Sequence, residues 1–191
     1  MAESRRGSVP EASHVPSVRT AWSTPYKQEI KLWHNVHTVL AAEAAAFRPT
    51  RPPLVLLGDS ITESWRGTSY GKHIKRAAGV PGVLLASSLN RRWHPLALGI
   101  SADHTQHLLW RLVHGELSAS WASMPELVMV VLIGTNNLGR GHTPTETREG
   151  VLAVVRHLLN HTSGRVLVNA LLPRGDKQRL ARVCPPRCTQ K

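Results

Sequence analysis

The chain has 191 residues, 41% of them hydrophobic, and a formal net charge of +12. That length suits one domain with a core large enough to need no disulfide or metal staple. The only cysteines, Cys184 and Cys188, are spaced C-x-x-x-C, which fits neither a zinc ribbon nor a C-x-x-C redox pair and excludes a disulfide framework.

The first 23 residues are polar, rich in proline and without periodicity, and are expected to be disordered. Arg5, Arg6 and Arg19 among serines and prolines give this segment some likeness to an organelle transit peptide, against which Glu3 and Glu11 weigh. No apolar run approaches the roughly 20 residues of a membrane helix. A cytoplasmic setting is expected. Thr24 and Pro25 form a helix start, followed by Ile30, Trp33, His37, Leu40, Ala41 and Ala44 on one face. His37 reads as a packed histidine. Pro49 and Pro52-Pro53 stop this helix.

Pro53 to Leu57 is a short, unbroken apolar run, as in a strand of a parallel sheet buried on both faces. It ends at Gly58-Asp59-Ser60. Val80 to Pro95 fits either an extra strand and loop or an insertion. Leu96 to Ile100 is a second strand. Asp103 and Gln106 then form a predicted capping box for a helix whose apolar side is Leu108, Leu109, Leu112 and Val113. Leu127 to Ile133 is the strongest strand and stops at Gly134-Thr135-Asn136-Asn137. Thr143 and Glu146 box the start of another helix, closed by Gly164, and Val166 to Leu172 is a last strand. Strands alternating with helices imply a parallel α/β sheet covered on both faces.

Ligand sites in such sheets form at the carboxyl ends of strands. Three ends here carry chemistry: Gly58 to Ser60, Gly99 to Asp103, and Gly134 to Asn137. Each alone also fits an ordinary strand-to-helix turn. Together they bring a hydroxyl, backbone amides and a side-chain amide to one rim. Serine attack on an acyl carbon creates an oxyanion, which needs preorganised donors. The Ser60 N–H, an N–H from the Gly99 to Asp103 turn and the Asn136 amide are the candidates. The chain has no G-x-S-x-G, no P-loop and no G-x-G-x-x-G. His104 and His107 lack the carboxylate or cysteine cluster of a metal site.

Gly58-Asp59-Ser60-Ile61-Thr62-Glu63-Ser64-Trp65 resembles the first block of SGNH (GDSL-type) hydrolases, and Gly134-Thr135-Asn136-Asn137 the third. Gly99 to Leu112 is similar to the second block of the catalytic subunits of intracellular platelet-activating-factor acetylhydrolase, as is Leu171-Leu172-Pro173-Arg174-Gly175. The resemblance implies a flavodoxin-like three-layer α/β/α fold with a parallel sheet, hydrolysis of acyl esters, and no cofactor. It implies Ser60 as nucleophile and Asn136 as side-chain oxyanion donor. The family's glycine donor falls on Ala102, and Asp59 and Asp103 support the site. Ala97 stands where the family often has asparagine.

The family's Asp-x-x-His pair does not occur after Leu-Leu-Pro-Arg-Gly. The expected organisation is therefore a tail over 1–23, an incomplete SGNH-like domain over 24–175, truncated at its C-terminal end, and an irregular basic tail over 176–191. Such a tail fits a truncated or misread gene product, or a short isoform. The implied function is a weak or inactive serine esterase acting on a small acyl ester. The alternatives are an acyl- or carbohydrate-binding module, a homo- or hetero-oligomeric subunit completed by a partner, and a basic nucleic-acid-associated protein. The scarcity of aromatic residues among the terminal charges argues against the last.

Overall fold

The structure, a computed structural model, describes residues 11–20 and 27–173. Its centre is a four-stranded parallel sheet in the order β4-β1-β5-β6. β1 is Pro53–Gly58, β4 is His94–Gly99, β5 is Val128–Leu132 and β6 is Arg165–Val168. A two-stranded antiparallel hairpin, β2 (Thr68–Ser69) and β3 (Lys72–His73), stands apart from it. Helices pack on the sheet in three α/β/α layers. They are α1 (Lys27–Ala46), α2 (Ser60–Glu63), α3 (Val80–Ala86), α4 (Ser88–Arg92), α5 (Thr105–Arg111), α6 (Thr135–Gly139) and α7 (Pro144–His161).

β1 is the inner strand that its unbroken apolar run predicts, with Val55 and Leu57 fully buried. The core gathers Leu98, Met129 and Val131 from the strands beside it, Trp33 and Leu40 from α1, and Val154 and Leu158 from α7. The chain runs from β1 to β4 on one side, then crosses to β5 on the other. That reversal opens a crevice at the carboxyl end of β1. Gly58 pairs with Gly99 in register, and with Leu132 on the other side. A Cβ on Gly58 would meet Leu132 O at 2.3 Å, and one on Gly99 would meet Glu63 N at 2.4 Å. These two glycines let α2 settle directly onto the strand ends.

The element ends differ from expectation in several places. Residues 11–20, expected to be disordered, pack against the domain. Ser13 and Arg19 are buried, Ser13 O accepts from Thr105 Oγ1 at 2.8 Å, and Ser17 N donates to Gln106 O at 3.3 Å. Residues 80 to 92 form the short helices α3 and α4, not a strand. The capping box of Asp103 and Gln106 does not form. His104 is the N-cap of α5, and its N–H donates to His107 Nδ1 at 3.1 Å. Asp103 turns inward because Arg111 and Trp33 offer it stronger partners. The final strand stops at Val168. The Thr143 and Glu146 box does form, with Glu146 N donating to Thr143 Oγ1 at 3.2 Å, and the helix it opens ends at His161, before Gly164. His37 is packed, hydrogen-bonded to Glu116 at 2.8 Å. The helix start at Thr24 and Pro25 and the tail over 176–191 lie outside the described residues.

Candidate active site

Three adjacent strands end side by side, so their loops meet above β1. Asp59, fully buried, caps α2 by accepting from Ile61 N at 3.0 Å. This makes Ser60 the first helical residue, half-buried at the rim. From the β5 side, Asn136 Nδ2 donates to Asp59 Oδ2 at 3.2 Å and to Asp103 O at 2.9 Å. One amide thus links all three blocks. A primary amide has two hydrogens, and both are engaged here. To reach an oxyanion, Asn136 must release one, and the longer bond to Asp59 is the weaker hold.

The second block turns at Ala102, whose φ is 61°. This is the left-handed region, where an L-residue carries about 1–2 kcal/mol of steric cost. The turn persists because its neighbour is held from several sides. Ser101 N and Ser101 Oγ donate to Glu63 Oε2 at 2.7 and 2.6 Å. Ser69 and Ser101 hydroxyls share a bond of 2.8 Å. Arg19 Nη1 donates to Ser101 O at 2.7 Å. The other Glu63 oxygen accepts from Thr68 Oγ1 at 3.0 Å and Gly71 N at 2.8 Å. Glu63 therefore ties α2, the β2–β3 hairpin and the Ala102 turn together.

Behind the rim lies a buried ionic chain. Asp103 Oδ2 pairs with Arg111 Nε at 2.8 Å, and Trp33 Nε1 donates to Asp103 Oδ1 at 2.6 Å. Arg111 also pairs with Glu116 and donates to Gly58 O at 3.0 Å. Burial pushes the Asp103 carboxyl up to about 7, against the pull of Arg111 and the Trp33 hydrogen bond. Asp103 is thus a buried support for the turn, with its backbone oxygen facing Asn136.

The histidines nearest this turn are neutral. Burial, reinforced by His142, lowers His104 to about 3, and burial lowers His107 well below its ordinary value. Their rings stack with centroids 4.9 Å apart. His107 Nδ1 accepts the His104 N–H, so its proton sits on Nε2. Among the described residues, no histidine hydrogen-bonds to Ser60, and no group of three or more His, Cys, Asp or Glu is arranged to hold a metal ion. A cavity of about 320 Å³ lies elsewhere, against α1, lined by Leu32, Val36, Val39, Tyr70 and their neighbours.

The structure thus brings Ser60, Asp59, Ala102, Asp103 and Asn136 to one rim. Sequence reasoning missed Glu63, Arg19 and Asn137. Asn137 is fully buried and accepts from Thr105 N at 2.9 Å, pinning α5 to α6. Glu63 carried a signal, since it follows Ser60 by three positions inside the first block. Arg19 carried none, lying in an aperiodic segment.

The model of the GDSL-like lipase/acylhydrolase family matches residues 56–187. The chain belongs to this family. Among proteins similar to this GDSL-like chain is platelet-activating factor acetylhydrolase IB subunit alpha1 of Bos taurus. It is 33% identical over 146 residues, which cover 75% of this chain and 52% of that protein. The alpha2 subunit of Gallus gallus is 43% identical over 86 residues, 44% of this chain and 34% of that protein. The chain spans about half the length of the alpha1 relatives it matches. A solved structure from Streptococcus pneumonia, provisionally assigned as a platelet activating factor, shares the fold. Its TM-score is 0.56 at 16% identity, over 83% of this chain and 68% of that one. Among the described residues, no helix is long and apolar enough to cross a membrane.

Proposed function

We propose that this chain is an ester hydrolase in which Ser60 is the nucleophile. The observation that carries the reading is the Asn136 amide, which bonds both to the residue before Ser60 and to the residue after Ala102. The step is an acyl transfer. Ser60 Oγ bonds to the carbonyl carbon, the ester C–O bond breaks, and the alcohol leaves with a proton. Water then releases a carboxylic acid and restores Ser60. The N–H groups of Ser60 and Ala102 and one Asn136 hydrogen receive the oxyanion. The names of the relatives support a short acyl group such as acetyl. The only cysteines being Cys184 and Cys188 supports a reducing, cytoplasmic setting.

Turnover by this chain is slow in this reading, because no described residue stands as a base to Ser60. The same observation favours a second reading, a subunit completed by another chain, and the relatives are named as subunits. Oxyanion donors and binding alone retain about 10³–10⁴-fold catalysis over water in a serine protease. The purified chain should hydrolyse a short-chain model ester slowly and take a fluorophosphonate label, and Ser60→Ala should abolish the label. Labelling that survives this substitution overturns the assignment. Brisk hydrolysis that needs Ser60 overturns the slow turnover and reveals a base.

A further inference from the structure

We infer that Arg19 is a positioning residue for the oxyanion site. By holding the Ser101 carbonyl it aims the Ala102 N–H at the acyl oxygen. This deepens the reading above and rests on it. The argument starts from the peptide unit. The Ser101 carbonyl and the Ala102 N–H belong to one planar trans unit, so they point in opposite directions. Arg19 Nη1 grips that carbonyl at 2.7 Å, so the N–H faces away from the guanidinium. No described residue accepts from that N–H, which leaves it available to a ligand.

The chain has another local choice. Flipping the unit would carry Ala102 from φ 61° into the negative-φ region that an alanine prefers, and would turn the N–H away. A glycine would be indifferent between the two. At an alanine the flipped form is favoured locally, and something must oppose it. Glu63 and Ser69 hold the Ser101 amide and hydroxyl, but neither touches its carbonyl. Among the described residues, Arg19 is the side chain that does. Arg19 is itself fixed, buried with Nη2 2.6 Å from Tyr70 OH, its guanidinium carbon 5.1 Å from the Tyr70 ring centroid, and Glu29 at 3.6 Å. Its positive charge also strengthens the bond and polarises the peptide unit.

The test compares the full chain with Arg19→Met, Arg19→Lys, Ala102→Gly and the Arg19→Met, Ala102→Gly double variant. In ¹⁵N-labelled protein, Arg19→Met should move the Ala102 amide resonance and speed its exchange. The effect of Arg19→Met at residue 102 should be smaller in the Ala102→Gly background. On the model ester, Arg19→Met should lower kcat by about 10- to 100-fold with KM within about twofold, less than the 10²–10³ lost with a whole oxyanion donor. Added guanidinium ion should restore part of the loss. If Arg19→Met does not fold, Arg19→Lys, which keeps the charge without the fork, carries the comparison. A folded variant whose Ala102 amide is unmoved overturns the inference, whatever the esterase assay gives. Absence of Ser60-dependent fluorophosphonate labelling in the unmodified chain overturns the functional reading instead, and the amide comparison still decides whether Arg19 sets the peptide.

Discussion

His104 and Asp103 are sequence neighbours whose titrations pull stability in opposite directions. An unfolded chain protonates His104 near 6.5, whereas the folded protein does so only near about 3. Between those values the unfolded state holds more protons, so this imidazole makes stability fall as pH falls. Asp103 is raised from 3.8 to about 7. Between those values the folded state holds more protons, and this carboxyl makes stability fall as pH rises. The histidine contribution is read cleanly by difference. Replacing His104 with Gln should remove the equivalent of one proton from the slope of stability against pH between about 4 and 6.5, so that the urea midpoint rises less, or falls more, as pH rises. Parallel midpoint curves for the two proteins across that range would show that His104 is not held neutral. Sequence reading assigned Asp103 to a helix cap, the usual use of an aspartate before a helix. Arg111, eight positions on, outcompeted that role, and one-dimensional spacing gives no sign of it.

Among elements, α2 is only four residues long, yet it carries Ser60 at one end and holds the Ala102 turn at the other. Its last residue, Glu63, is fully buried and accepts four hydrogen bonds. Glu63→Gln places an N–H₂ group against donors on one side of that carboxylate. The expected cost is about 1.5–3 kcal/mol, the scale of a hydrogen bond to a charged group. The measurement is the denaturation midpoint together with the rate of fluorophosphonate labelling at Ser60. An unchanged midpoint and rate would mean that Glu63 does not tie α2 to the turn. Strands β1, β4 and β5 and the three rim blocks were legible because they are local: an apolar run closed by glycine and polar residues. The two short helices over residues 80 to 92 were not, because Pro81 and Gly82 near the start of α3 read as breakers, although proline is tolerated in a helix's first turn. The packed segment 11–20 was not either, because its partners, Tyr70, Ser101 and Thr105, are far away in the chain.

For the whole molecule, the sheet is unevenly covered. β1 is sheathed on both sides, while Leu167 on β6 is 55% exposed and Leu159 on α7 is 53% exposed. Val168 and Leu172 are also exposed. An apolar strand at the end of the sheet order, showing large side chains to water, favours association. The chain should bind an environment-sensitive hydrophobic dye and sediment as larger species with rising concentration. Leu167→Glu should reduce both. A monomer with no dye binding at high concentration would mean that this surface is covered.

The segment 11–20 has a consequence of another kind, in the order of synthesis. Ser13 bonds to the backbone of Glu146, 133 positions later, and Arg19 to Ser101, 82 positions later. A ribosome makes the early partner first and must release most of the domain before the late one exists. The first stretch of described chain to leave the ribosome is therefore among the last to find its place. Ala102 gains its guanidinium clasp only when a segment made 82 positions earlier folds back over the turn.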